Sequence, residues 1–242
     1  MKIIVLAGGL STERDVSLSS AAGICRTLIE KGHDAFLLDV FMGLPYDSDK
    51  LEEVFTLPGH GLEIAKNIAT EEPDLAAIKA SRPDQSDCFL GPNVIELCRM
   101  ADITFIGLHG GEGENGKLQA TFDLLGIKYT GPNSLGCAAA MHKGIAKQIF
   151  LESGIPTPNG VCIHKNKNKK DLASLGLSLP VVVKPCSGGS SIGVYIVNTE
   201  EEYNEALEKS FRYEDELVIE EYVKGREFAC GIIDDIALPP IE

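Results

Sequence analysis

The chain has 242 residues, 44% of them hydrophobic, with seven cysteines and a formal net charge of −14. The length exceeds one average domain of about 150 residues, so two domains, or one and part of another, are expected. The charge argues against a general nucleic-acid or anionic-membrane surface, and no apolar run approaches the roughly 20 residues that span a bilayer.

The opening reads as a strand from Lys2 to Ala7, stopped at once by Gly8 and Gly9. That is a strand pattern and not a signal peptide, and the cytoplasm is the expected compartment. A helix from about Val16 to Lys31 follows, with Ala21, Ala22, Cys25, Leu28 and Ile29 on one face and Gly32 as its stop, then a strand at Ala35 to Val40. This β-turn-α-β order predicts a parallel sheet, with ligands beyond the carboxyl ends of its strands. The stretch from Gly43 to Gly91 is charged and broken by Pro45, Pro58, Pro73 and Pro83, and reads as helical pieces and loops.

A third strand, Ile103 to Leu108, runs into the glycine-rich loop His109 to Gly116. After a helix at Leu118 to Leu125 and a short strand at Lys128 to Thr130, the turn Gly131-Pro132-Asn133 marks a domain boundary. One long helix from about Ser134 to Glu152 opens the next unit. Strands follow near Val161 to His164, Val181 to Lys184, Gly193 to Val197 and Leu217 to Glu221, with a helix from the capping box Thr199-x-x-Glu202 to Phe211. Further strands are expected at Glu227 to Ile232 and Ile236 to Leu238.

The stretch Val181 to Gly193, V-V-V-K-P-C-S-G-G-S-S-I-G, joins a strand ending in Lys184 to a loop of small residues. Backbone N–H groups in such a loop can crowd around an anion, and the lysine adds a point charge, so nucleotide phosphates are one reading and an ordinary Gly-Ser turn the other. It is not the Walker pattern, because the lysine precedes the glycines. Cys186 reads as a small residue filling the loop, since no base for a nucleophile lies nearby in sequence. The odd number of cysteines, without a C-x-x-C pair, points to reduced thiols. Glu13, just before a helix, either favours the helix dipole or awaits a substrate ammonium. The basic run Lys165 to Lys170 reads as a solvated loop.

Four blocks occur in order: G-G-L-S-T-E-R-D-V-S at Gly8 to Ser17, L-H-G-G-E-G-E-N-G-K-L-Q at Leu108 to Gln119, V-K-P-C-S-G-G-S-S-I-G at Val183 to Gly193, and E-E-Y-V-K-G-R-E-F at Glu220 to Phe228. Together they closely resemble the D-alanine–D-alanine ligases, over nearly the whole chain and least over Gly43 to Gly91. The resemblance implies an ATP-grasp fold of mixed α/β and α+β type. Its parts would be an N-terminal parallel-sheet substrate domain at 1–131, a central ATP-grasp domain at 132–220, and the beginning of a C-terminal domain at 221–242. It also implies ATP with magnesium or manganese as cofactors, D-alanine as substrate and a homodimer, in peptidoglycan precursor synthesis. ATP would phosphorylate the carboxylate of one D-alanine, and the amine of a second would attack the acyl phosphate.

By position in those motifs, Glu13 would hold the first substrate's ammonium, and Ser190 would order the loop and active site, so these two are the expected catalytic residues. Lys143, Lys184, Ser190 and Ser191 would contact ATP phosphates. Glu220 and Glu227 would be the adenine and ribose carboxylates, with Glu221 to Val223 lining the adenine pocket. His109 and Glu114 would stand on the substrate side, or serve only as turn formers. One departure is small: the family usually carries an acidic residue before the lysine, where this chain has Met141-His142-Lys143. The other is the end of the chain. The family continues into a C-terminal domain with a lid loop, an oxyanion-binding arginine and the metal ligands, so no metal ligand is expected before Glu242. A truncated form is expected, catalytically incomplete if the molecule ends at Glu242. The alternatives are a D-alanine–D-lactate or D-alanine–D-serine ligase and a non-catalytic nucleotide-binding remnant.

Overall fold

A computed structural model of the chain describes residues 1–45, 48–57, 59–69, 71–167, 171–189 and 191–242. Ser190, and residues 168–170 of the basic run, lie outside the described residues. The chain forms two compact units, Met1–Ala146 with Ser187–Ile192, and Lys147–Cys186 with Gly193–Glu242.

The first unit is built on a parallel sheet of order β2-β1-β3, from β1 (Lys2–Ala7), β2 (Asp34–Asp39) and β3 (Ile103–Ile106). Central β1 is covered on both faces, as parallel sheets are. Ile4 and Leu6 pack with Phe36, Leu97 and Phe122 on one side. Ile3, Val5 and Ala7 pack on the other against Leu18, Ala21 and Cys25 of α1 (Arg14–Glu30). That helix stops where Gly32 takes a left-handed φ of 82° and donates to the Ile29 carbonyl. The strand expected at Lys128 to Thr130 reduces to one isolated bridge, Thr104 to Tyr129.

Between β2 and β3 the chain makes 3-10 turns at Ser48–Thr56 and Leu62–Ile64 and the short helices α2 (Leu75–Ser81) and α3 (Val94–Met100). Arg82 organises part of this stretch from inside. Only 2% exposed, it lies 4.8 Å from the centre of the Phe41 ring, pairs with Asp84 and donates to the carbonyls of Cys88 and Leu90.

Helix α4 (Lys117–Leu125) follows β3. The long helix expected from Ser134 to Glu152 is instead two, α5 (Ser134–Met141) and α6 (Lys143–Glu152). The break falls at His142, whose backbone is extended at φ −87° and ψ 97°. Its Nδ1 accepts from the Ile145 N–H at 3.2 Å, so the side chain caps the new helix. The first compact unit takes in α5 and runs to Ala146. Helix α5 sits so close to Gly116 that a Cβ there would lie 2.3 Å from the Ser134 carbonyl oxygen, and this packing holds α5 in the first unit.

The second unit is a four-stranded antiparallel sheet of order β4-β7-β5-β6, from β4 (Gly160–His164), β5 (Val181–Pro185), β6 (Tyr195–Val197) and β7 (Glu216–Glu221). Helix α7 (Glu200–Ser210) covers the face that carries Ile163, Val181, Val183, Leu217 and Ile219. Half of its expected capping box forms: Thr199 Oγ1 accepts from the Glu202 N–H, while the Glu202 carboxylate accepts from the Asn198 N–H at 2.7 Å, one residue before the cap. Beyond β7, only Ile232–Ile233 (β8) and Ile236–Ala237 (β9) pair as strands, with one bridge from Ala229 to Ile241, so the strand expected from Glu227 is shorter than its apolar pattern. Among the described residues no helix is long and apolar enough to cross a membrane.

Candidate functional site

In the first unit, loops far apart in sequence meet around the Glu13 carboxylate, beyond the carboxyl ends of β1 and β3. Ser11 Oγ donates to the His109 carbonyl at 2.6 Å and accepts from the Glu13 N–H at 3.2 Å. Ser17 Oγ ties Gly8 N–H, at 3.0 Å, to the Gly107 carbonyl, at 2.7 Å. The His109 ring is held through Nε2, 3.0 Å from Ser20 Oγ. Below the loop, buried Arg14 pairs with Asp39 and donates to the Gly9 carbonyl at 2.6 Å. Asp39 in turn accepts from the N–H groups of Phe41 and Met42.

Glu13 takes the N-cap position of α1 but makes no side-chain cap, so its carboxylate is directed elsewhere. A Cβ on Gly110 would lie 2.7 Å from Glu13 Oε2, and one on Gly189 3.1 Å from it. The carboxylate is therefore flanked by the loop after β3 and by the glycine loop 187–192, with glycines where a side chain would displace it. Glu13 also lines a cleft of about 210 Å3 with Thr12, Asp15, Ile68 and Ile192. Lys143 stands at the first position of α6, and its Nζ donates to the Gly188 carbonyl at 2.8 Å. Exposed Glu114, with Lys143, Gly188 and Gln119, lines a cavity of about 550 Å3. Buried Gln119 donates to the Gly113 carbonyl at 2.8 Å and leaves Oε1 without a hydrogen-bond partner at that wall.

In the second unit, strand alternation places Lys184 and Glu220 on the sheet face opposite α7. Glu220 lies opposite Gly160 in register, where a Cβ would come within 2.5 Å of the Glu220 Cβ, so only glycine leaves room for it. Both Glu220 oxygens are engaged: Oε1 by Lys184, and Oε2 by Lys147 at 2.8 Å. Burial pushes the Glu220 carboxyl upward, but the hydrogen bonds and charges of the two lysines outweigh it and hold its pKa below the usual range. Glu221 Oε1 accepts from the Asn159 N–H at 2.9 Å, Tyr222 N–H donates to the Pro180 carbonyl, and Val223 and Glu227 are exposed.

Cys186 is fully buried, with its Sγ 3.1 Å from that of Cys162. The contact with Cys162 and then burial hold its thiol protonated, which suits a packing residue and not a nucleophile. Of the expected site residues, the first unit brings together Glu13, His109, Glu114, Lys143 and the glycine loop with exposed Ser191, and the second holds Lys184, Glu220 and Glu221. Sequence reasoning missed Lys147, Arg14, Asp39 and Gln119. The signal for Lys147 was a second lysine one helical turn after Lys143, inside an apolar run.

A parallel-sheet domain, followed by an antiparallel sheet whose β5 leads from a lysine into a glycine loop, defines an ATP-grasp protein. Its solved neighbours agree: D-alanine–D-alanine ligase from Bacillus anthracis (31% identity, TM-score 0.70, covering 99% of this chain and 63% of that one), and the same organism's ligase complexed with ATP (28%, TM-score 0.70, 99% and 62%). The D-ala D-ala ligase N-terminus model matches residues 2–132, and the D-ala D-ala ligase C-terminus model matches 149–240. The chain belongs to the D-alanine–D-alanine ligase family. It is 42% identical to the ligase of Lacticaseibacillus casei (100% of this chain, 67% of the relative) and 44% identical to that of Pediococcus pentosaceus (100% and 68%), so it spans about two thirds of the length of these relatives.

Proposed function

We propose that the protein carrying this chain joins two D-alanines with ATP, through an acyl phosphate, to make the dipeptide used in peptidoglycan precursors. The observation that carries this reading is the meeting of the loops after β1 and β3 with the glycine loop around the Glu13 carboxylate. A carboxylate flanked by Gly110 and Gly189 suits the ammonium of a small amino acid, because it supplies one charge and no side chain at those two positions blocks the approach. On the family resemblance, Ser190, Ser191, Lys143 and Lys184 would each contact the ATP phosphates. Glu220, Glu221, Val223 and Glu227 form the adenosine side, and His109 and Glu114 the wall of the amino-acid side. Closing the glycine loop over the site excludes water from an acyl phosphate that would otherwise hydrolyse.

Magnesium or manganese, when bound with ATP, would supply positive charge against the charge that develops on the phosphates. Within each unit taken by itself, no three His, Cys, Asp or Glu ligand atoms converge among the described residues. A cytoplasmic location and a homodimer complete the proposal on the family resemblance. Incubation with Mg-ATP and D-alanine, followed by phosphate and dipeptide detection, tests it. D-alanine-dependent phosphate release with stoichiometric dipeptide is expected; phosphate release without dipeptide contradicts it. D-lactate or D-serine as acceptor, in the same assay, distinguishes those ligases.

A further inference from the structure

Lys147 is one of the few buried charged residues of the chain, at 5% exposure. An ammonium carries three N–H donors, and Lys147 directs them to Glu220 Oε2 at 2.8 Å, Thr157 Oγ1 at 3.2 Å and the Pro158 carbonyl at 2.5 Å. With its three donors taken and its side chain buried, Lys147 is arranged to hold Glu220. Lys184 approaches the other oxygen of the same carboxylate. The two lysines differ in access: the Lys147 side chain is 6% exposed and that of Lys184 is 22%. Lys184 is thus the lysine of the trio that a ligand can reach.

The charges decide what the trio offers. Lys184 with Glu220 alone is a neutral ion pair, which attracts an incoming anion weakly. Adding Lys147 gives two positive charges and one negative, a net charge of one, with the cancelling cation placed inward. We propose that Lys147 is a positioning residue, which saturates one oxygen of Glu220 and cancels its charge so that Lys184 presents a net positive charge to the phosphates of a bound nucleoside triphosphate. This role rests on the nucleotide reading above. It separates Lys147 from the lysines expected to touch phosphate, since it acts only through the carboxylate between them.

The test compares Mg-ATP with adenosine, which has the same base and ribose but no phosphates, by titration calorimetry on the wild-type chain and its variants. The ratio of the two affinities isolates the phosphate contribution from any general loosening of the pocket. In Lys147→Met the trio becomes neutral, and ATP affinity is expected to fall about tenfold while adenosine stays within about twofold. Lys147→Arg keeps the charge and keeps the ratio. Lys147→Met with Glu220→Gln removes one charge of each sign, which replaces a buried pair by neutral groups, and the ratio returns towards wild type. Glu220→Gln alone leaves two cations and raises the ratio, a prediction that stands if Lys147→Met does not fold.

Equal losses for ATP and adenosine in Lys147→Met, or no recovery in the double variant, overturn the proposal and leave Lys147 as a structural ion pair. A wild-type chain that binds neither ligand overturns the nucleotide reading, and this role falls with it.

Discussion

At the scale of single residues, the candidate site is organised by how carboxylates are held. Glu220 is the clearest case, since its lowered pKa links the site to stability. A carboxyl depressed on folding contributes stability that is fully present above its unfolded pKa of about 4.3, and that is lost as pH falls through its folded value. Glu220→Gln is expected to lower stability by about 3 kcal/mol at pH 7, because two lysines lose their counter-charge. The difference from wild type shrinks once pH drops below the folded pKa, and denaturant unfolding followed from pH 7 down through the acid range measures both. Glu13 is held by space instead. Gly110 has a φ of 68°, and an added Cβ would lie 2.7 Å from the Glu13 oxygen. Gly110→Ala is expected to cost about 1 kcal/mol or more in stability and to displace the carboxylate, weakening D-alanine use before ATP use. Steady-state titration of each substrate checks this.

At the scale of elements, β1, β2 and α1 could be read closely from the sequence because burial on both faces leaves an unbroken apolar run and an uncovered helix face leaves a period. Cap chemistry was equally local: Thr199 and Glu202 satisfy each other's neighbourhood wherever the helix is placed. The division of the expected long helix was not legible, because no proline marks it and the nearby Gly144 lies inside α6. His142 breaks it by turning its own ring back to the Ile145 N–H, which a helix-forming pattern does not reveal. Imidazole is a poorer cap than a carboxylate, which also favours the helix N-terminus electrostatically. His142→Asp, the acidic type usual in the family, is therefore expected to stabilise the protein by roughly 0.5–1 kcal/mol, read from thermal or denaturant unfolding. A neutral or destabilising result would show that the His142 ring does more than cap.

At the scale of the whole molecule, the motifs gave the family and the packing gave the groupings. Glu13, the loop after β3 and the glycine loop lie far apart in sequence, and only their common resemblance suggested one site. The structure adds that Ser187–Ile192 groups with the first unit and flanks Glu13, although its flanking strands belong to the second. Lys147 left a weaker trace, a second lysine one turn after Lys143; a lysine in an amphipathic helix reads as solvated, and only the fold shows it buried against Glu220. Arg82 is a similar case, since its charge hid a residue that packs on Phe41 and gathers the carbonyls of its own loop. The molecule as a whole carries a charge of −14, so on the reading proposed above an anionic nucleotide would depend on local cations such as Lys143 and Lys184 against a repelling background.

The central claim, that Glu13 binds the first D-alanine through its ammonium, is tested most directly by Glu13→Gln in the D-alanine-dependent phosphate-release assay. Replacing the charge while keeping the shape should raise the KM for D-alanine by about tenfold or more, and leave the KM for ATP within about twofold. Equal losses for both substrates, or an unchanged D-alanine KM, would contradict the account.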